Sequence, residues 1–178
     1  MTHDPDTLRG LAVLLSYPGP GLPARAAEGA ARLAADRPAA AERLDRFAAF
    51  ARDAGAAALE EAYTAAFDLA PLCSPYVGDQ LFGAGRERSY LLSGLRVLQR
   101  EAGIAPGPEL PDHVAEVLRL VAADVPDDVR DDLFRDGLAP TLRKMLAALG
   151  EARHPWGDVV AATADVVNAA AVKLEATP

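Results

Sequence analysis

Cysteine is almost absent from this sequence of 178 residues, since Cys73 is the only one. A single thiol excludes an internal disulfide framework and a cysteine-rich metal knuckle. Long hydrophobic runs are missing too, and without about 18 consecutive apolar residues no segment is predicted to span a bilayer. The first residues lack the cationic region of a signal peptide, so we expect a cytoplasmic protein.

Positive charge is in deficit. The chain has 18 Lys and Arg residues against 26 Asp and Glu residues, a formal net charge of -8. Such a field repels phosphate backbones and anionic membrane surfaces but attracts a basic peptide. We therefore expect neither a nucleic-acid partner nor direct membrane insertion. Hydrophobic residues make up 51% of the chain, which is ordinary for a folded protein, and the length suits one domain over residues 1–178.

Signatures of catalysis are missing as well. The sequence contains no dinucleotide-binding glycine pattern, P-loop or nucleophile elbow. Cys73, His3, His113 and His154 do not have the spacing of a metal site or of a nucleophile with its base. The acidic run 124–132 lacks the pattern of a calcium loop. We expect no enzyme activity, no bound metal and no cofactor.

Apolar residues recur at helical spacing throughout, and no segment alternates as a strand would. The sequence therefore predicts an all-α, single-domain bundle of eight or nine helices whose neighbours pack antiparallel. Asp4 and Pro5 have the residue types of an N-cap and a first helical position. The other predicted helices cover residues 23–36, 39–54, 56–68 and 85–102, begin at Pro111, Pro126 and Pro155, and include one that ends at Gly150.

Residues 69–84 show neither the apolar spacing of a helix nor the alternation of a strand. Pro71, Pro75, Gly78 and Gly83 are spaced too closely for a long helix, so the sequence predicts an irregular connection here. The stretch also contains Tyr76 and Phe82. Loops held on a rigid scaffold commonly carry function, which makes this connection the first candidate for a binding site.

A second candidate is the segment Glu109-Leu110-Pro111-Asp112-His113. If Pro111 begins a helix, Asp112 lies in its first turn, and neither Asp112 nor His113 falls on the apolar stripe that follows. One interpretation is that Asp112 only complements the helix N-terminus and His113 is exposed. The other is that both side chains lie at the rim of a binding groove.

In order and spacing, these segments resemble one known family. The similar elements are Tyr63 to Phe67, Cys73-Ser74-Pro75-Tyr76, Arg86 to Arg88, and Glu109 to His113. The family is that of the TorD/DmsD/NarJ redox-enzyme maturation chaperones, and the sequence is most similar to its nitrate reductase branch, usually called NarJ. The resemblance is carried by about half of the chain.

This resemblance implies a function in recognition. Such a chaperone binds the N-terminal segment of the apo catalytic subunit of a molybdoenzyme, here above all respiratory nitrate reductase. It holds that subunit ready for insertion of the molybdenum cofactor before membrane docking or export. The expected groove lies between the helix 56–67, the loop after it and the helix from Pro111. Its expected residues are Tyr63, Phe67, Pro75, Tyr76, Phe82, Arg86, Glu109, Asp112 and His113.

Three alternatives stay open at this point. The client could be another molybdoenzyme of the dimethyl-sulfoxide-reductase superfamily, the chain could be a helical small-molecule-binding protein, or it could be an adaptor. A binding protein for a small molecule needs convergent polar groups within the bundle, and the inward stripes offer little beyond Thr163. We expect a monomer or a weak homodimer.

Overall fold

The computed structural model describes residues 4–175, with side chains up to Val172, so His3 lies outside the described part. Over this range the chain is helical, and one isolated bridge is its only β-type pairing. The all-α prediction is confirmed. The described helices are α1 Pro5–Leu14, α2 Leu22–Leu33, α3 Pro38–Phe67, α4 Val77–Phe82, α5 Arg86–Glu101, α6 Val114–Val121, α7 Asp127–Asp132, a π-helix Leu133–Leu138, α8 Ala139–Glu151 and α9 Trp156–Glu175.

The start of α1 follows from its local sequence. The Asp4 carboxylate accepts hydrogen bonds from the backbone nitrogens of Asp6 and Thr7, at 3.1 and 3.2 Å. Pro5 occupies the first turn, where its missing N–H removes no helical hydrogen bond. Among residues 4–175, no helix has both the length and the apolar character that crossing a membrane requires.

Gly55 interrupts α3 at the point where the sequence predicts two separate helices. Its φ of 76° and ψ of 170° are not helical, and glycine reaches this region far more easily than a residue with a Cβ. The result is a kink, and the second half of α3 then continues to Phe67.

The core is arranged around α3, which packs against both α2 and α9. α8 lies along α9, and α1 packs against α2 and α6. The close approach of α2 to α3 depends on Gly29, because a Cβ at that position would lie 3.1 Å from Leu44 Cδ1. Short loops thus bring sequential helices together, as the sequence predicts.

Trp156 lies in the middle of the core and is fully shielded from solvent. Its ring makes edge contacts with Phe47, Tyr63 and Phe67, at centroid distances of 4.9, 5.6 and 6.4 Å. Its indole nitrogen donates to the carbonyl oxygen of Leu14 at 3.1 Å. This cluster joins α1, α3 and α9.

The predicted irregular connection 69–84 is wrong in its second half, where Val77–Phe82 forms α4. A helix of six residues is too short to show an apolar period. Lys144 of α8 donates a hydrogen bond to the carbonyl oxygen of Gln80, which fixes α4 on the bundle.

The predicted helix start at Pro111 is also wrong, since α6 begins at Val114. His113 is extended, with φ -62° and ψ 136°, and serves as the N-cap. The backbone around His113 instead pairs with residues 75–77, so a tertiary contact overrides the local preference of proline.

The sequence did not predict the π-helix Leu133–Leu138, which joins α7 directly to α8. A single π turn often lies next to a functional site, because it shifts side chains away from the regular helical register. Here it places Gly137 opposite α4, and a Cβ at Gly137 would lie 3.7 Å from Val77 Cγ1.

Candidate functional site

The two candidate segments lie side by side. Tyr76 and His113 form an antiparallel bridge. The backbone nitrogen of Val77 donates to the carbonyl of Asp112 at 2.7 Å, and that of Val114 donates to the carbonyl of Pro75 at 2.9 Å. The sequence motifs on either side of α5 therefore form one structural unit.

Asp112 lies at the centre of this unit and has no solvent exposure. Its Oδ2 accepts a hydrogen bond from Arg88 Nε at 2.9 Å, and the same guanidinium lies 3.5 Å from an oxygen of Asp79. Gly78 makes room for the pair, because a Cβ there would lie 2.8 Å from Asp112 Oδ2 and from Arg88 Cγ. The Arg88–Asp112 ion pair thus fastens α5 to the start of α6.

Tyr76 adds a second layer of contacts. Its hydroxyl donates to Glu109 Oε2 at 2.9 Å, and its ring packs edge-on against His113 at a centroid distance of 5.3 Å. The guanidinium of Arg88 lies 5.3 Å from the ring centroid, within range of a cation–π contact. Burial and the hydrogen bond to Glu109 raise the pKa of Tyr76 to about 12, so its hydroxyl stays protonated at neutral pH.

His113 is buried rather than exposed, with 1% of its surface accessible. Its Nδ1 accepts a hydrogen bond from the backbone nitrogen of Ala115 at 3.2 Å, so this ring nitrogen carries no proton. Burial lowers the pKa of His113, and the carboxylates of Glu109 and Asp112 oppose that effect only in part. The ring therefore serves as a neutral cap of α6.

A further polar contact holds the far end of α5. Gln99 is buried and its Nε2 lies 3.5 Å from Glu116 Oε2. The other oxygen of Glu116 accepts a hydrogen bond from Arg119 at 2.9 Å. Of the sixteen residues of α5, only Leu95 and Gln99 are buried, and Leu91 and Leu98 pack partly buried against the core.

Beneath α5 lies an apolar groove with a volume of about 270 Å³, which we call the α5 groove. Helix α4 forms one wall and α5 the other, α6 contributes Val117 to the floor, and the turn from α7 into the π-helix closes the end. Phe82 is half exposed at the opening, and the carboxylates of Asp132 and Asp136 are its only charged lining groups. The lining residues are Val77, Leu81, Phe82, Leu91, Leu95, Val117, Val129, Asp132, Leu133, Asp136 and Gly137.

The structure brings together five of the nine predicted site residues, namely Pro75, Tyr76, Glu109, Asp112 and His113. The predicted positions of Asp112 and His113 at a solvent-facing rim are wrong, because both are buried. Their backbone pairing with residues 75–77 turns them inward.

The other four predicted residues lie apart from that unit. Phe82 lines the α5 groove. The prediction that Tyr63 and Phe67 line a groove with it is wrong, because they are 4% and 5% exposed and pack around Trp156 in the core. Arg86 is exposed, and Arg88, two positions along, makes the contact with Asp112.

Sequence reasoning missed the apolar walls of the groove. Leu91, Leu95 and Val117 are recognisable as inward positions from their helical spacing. Spacing alone does not distinguish a side chain that fills the core from one that lines an open groove. The choice between Arg86 and Arg88 likewise depends on the pairing of segments far apart in the chain.

The described residues show no group of three or more His, Cys, Asp or Glu side chains that could hold a metal ion. Cys73 is buried, and burial raises its pKa to about 11, so the thiol is protonated at neutral pH. The site as described offers apolar surface and a fixed polar scaffold behind it.

Comparison with known proteins decides the family. Residues 30–162 match the family described as nitrate reductase delta subunit, a match that covers well over half of the chain. The chain belongs to the nitrate reductase delta subunit family. This family has a chaperone role in the maturation of nitrate reductase and partners with a molybdoenzyme catalytic subunit, and the NarJ-type resemblance of the sequence is confirmed. The matched range contains α4, α5, α6 and the π-helix, so the α5 groove lies entirely within the family region. No curated protein matches the chain.

Proposed function

We propose that this delta subunit family member binds the N-terminal segment of the apo catalytic subunit of respiratory nitrate reductase, in the cytoplasm, and seats it in the α5 groove. The bound subunit stays open for insertion of the molybdenum cofactor and does not dock at the membrane too early. The observation that carries this proposal is the apolar groove next to the motifs that resemble the family.

The shape of the groove suits an amphipathic helix. Leu81 and Phe82 lie on one side, Leu91 and Leu95 on the other, and a helix that lays its apolar face between them contacts both. Micromolar affinity corresponds to about -8 kcal/mol, and each buried apolar anchor contributes roughly 1.5 to 3 kcal/mol. Three or more anchors therefore suffice only if the groove is already formed.

The charges suit a basic segment. Asp132 and Asp136 lie at one end of the groove and are about two thirds exposed, within a chain of net charge -8. Lysine or arginine beside the apolar face of the client would meet these carboxylates, although Arg135 already pairs with both. We therefore expect charge to direct orientation and apolar anchors to supply affinity.

The polar unit around Asp112 supports the groove by holding its helices in place. Asp112 is fully buried, so it holds Arg88 and with it the first turns of α5, rather than contacting a client. Binding of this kind needs no bond chemistry, which fits a chaperone that is not an enzyme. We propose a monomer or weak homodimer as the working form.

The test is calorimetric titration of the full chain with synthetic N-terminal peptides of molybdoenzyme catalytic subunits. The nitrate reductase peptide should bind, and Phe82→Ser should weaken its binding about tenfold or more, because a half-exposed anchor is lost. Tyr90→Ser is the matched control: Tyr90 is an aromatic residue on the outer face of α5, 69% exposed, and its loss should leave affinity within twofold.

Other results distinguish the alternatives. Selective binding of a peptide from a different molybdoenzyme would identify another client of the same superfamily. Equal affinity of the wild type and Phe82→Ser for the peptide would exclude the α5 groove as its binding site. Binding to the mature, cofactor-loaded enzyme as tightly as to the apo form would favour an adaptor.

A further inference from the structure

A second exposed apolar surface shares no lining residue with the α5 groove. It lies where the loop after α1 meets the second half of α3. Tyr17, in the loop after α1, is 53% exposed there, and Leu69, just after α3, is 74% exposed. Leu72 follows Leu69 in the loop after α3 and is 44% exposed. We call it the Leu69 surface, and its lining residues are Tyr17, Ala57, Glu60, Glu61, Thr64, Ala65 and Leu69.

The backbone holds Leu69 in its exposed position. The backbone nitrogens of Asp68 and Leu69 both donate to the carbonyl of Thr64, at 3.0 and 3.2 Å. Ala70 then adopts a φ of 49°, a left-handed conformation that disfavours any residue with a Cβ. The backbone nitrogen of Cys73 donates to the carbonyl of Ala66 at 3.2 Å and closes the turn. Leu69 is thus presented by a fixed turn.

The charged groups of this surface are all acidic. Glu60 and Glu61 line it, and no lysine or arginine does. Partial loss of hydration, then the negative charge of Glu60 and Asp68, raises the pKa of the Tyr17 hydroxyl. Acidic edges disfavour a second copy of this acidic chain, because like charges across an interface repel.

The surface has the length of a short helix. Ala57, Glu61 and Thr64 follow the three- and four-residue spacing of one helical face, and the seven steps of about 1.5 Å from the first to the last span about 10.5 Å. Clustered exposed apolar side chains with a polar edge mark interaction sites, whereas scattered ones do not. An adjoining depression shares Glu60 with this surface and contains Arg52, which does not itself line the Leu69 surface.

We infer that the Leu69 surface docks a basic amphipathic helix of a partner protein. Its apolar side chains pack between Tyr17 and Leu69, and its lysines or arginines reach Glu60 and Glu61. This contact is separate from the α5 groove, so the chaperone holds two polypeptide segments at once.

The test uses the full chain and a designed helical peptide of Leu and Lys, with a Leu and Glu peptide of the same pattern as the charge control. Calorimetry should show that the Leu–Lys helix binds at least tenfold more tightly than the Leu–Glu helix. The double variant L69S/L72S should weaken that binding tenfold or more, and E60Q/E61Q severalfold. NMR shifts of backbone amides should map to residues 57–72.

The matched control is Y90S/V97S, which removes two exposed apolar side chains from the outer face of α5 and should leave the affinity within twofold. Failure of the Leu–Lys helix to bind, equal binding to L69S/L72S, or shifts that map to residues 77–95 would overturn the inference. L69S/L72S should still bind the nitrate reductase peptide as tightly as the wild type does. That result would show that the variant has lost the Leu69 surface while the α5 groove still binds its peptide.

Discussion

Asp112 and Arg88 form an unequal pair. The carboxylate is fully buried, whereas 19% of the Arg88 side chain is exposed and also meets Asp79. One oxygen of Asp112 bonds to Arg88, and its Oδ1 has no hydrogen-bond partner among the described residues. A buried charge that loses its partner destabilises a fold strongly, whereas a partly exposed one regains water.

This inequality predicts the order of two variants. Arg88→Leu should lower the free energy of unfolding by about 3 to 5 kcal/mol, because it leaves the Asp112 carboxylate buried without a counter-ion. Asp112→Asn should lower it by less, because Arg88 keeps Asp79 and solvent. Urea unfolding measures both. The matched control Arg86→Leu, at an exposed position of the same helix, should change stability by about 0.5 kcal/mol or less.

A larger loss in Asp112→Asn than in Arg88→Leu would contradict this account of the pair. The sequence identifies Asp112 and His113 as unusual because they follow a proline and lie off the apolar stripe. It does not show that they are buried, because their burial depends on backbone pairing with residues 75–77 and on an arginine from another helix.

At the scale of elements, glycine has opposite effects in two helices. Gly55 has a positive φ and a ψ near 170°, a conformation that α3 needs for its kink. Gly94 lies within α5, is exposed, and a Cβ there would meet no atom within 4 Å. One glycine is required by its backbone and the other only weakens its helix.

We therefore predict opposite signs for the same substitution. Gly55→Ala should lower the free energy of unfolding by about 1 to 3 kcal/mol, because alanine is strained at this φ and ψ. Gly94→Ala should raise it by up to about 1 kcal/mol through helix propensity. Thermal unfolding followed by circular dichroism compares the two. A stabilising Gly55→Ala would show that the kink is dispensable.

Helices with a long apolar period are the elements that the sequence predicts well. α1 and α9 bury the apolar residues that recur at helical spacing, and the break at Gly55 lies between the two predicted helices. α4 and the π-helix were not predicted, since six residues are too few to reveal a period. The α5 groove depends on how α4, α5, α6 and the π-helix pack together, which is why its walls could not be assigned from sequence.

For the whole molecule, two histidines link stability to pH. Burial lowers the pKa of both His113 and His154 below the usual value of about 6.5. The folded state therefore resists protonation, and unfolding takes up protons as the pH falls below that value. The free energy of unfolding is therefore not reduced by these histidines above about pH 6.5, and it decreases as the pH falls below that value.

Urea unfolding at about pH 7.5 and about pH 5.5 should show this loss for the wild type. His113→Asn should reduce the difference between the two pH values, because asparagine also caps a helix but does not titrate. His154 stays in place and accounts for the remainder. An undiminished pH dependence in His113→Asn would show that His113 does not take up a proton on unfolding.

Trp156 has a practical consequence. It is the only tryptophan of the chain, it is sealed among the rings of Phe47, Tyr63 and Phe67, and it does not line the α5 groove. Its emission should be blue-shifted and should report the integrity of the junction of α1, α3 and α9. A fluorescence assay can therefore separate a variant that has lost its structure from one that has lost only its ligand.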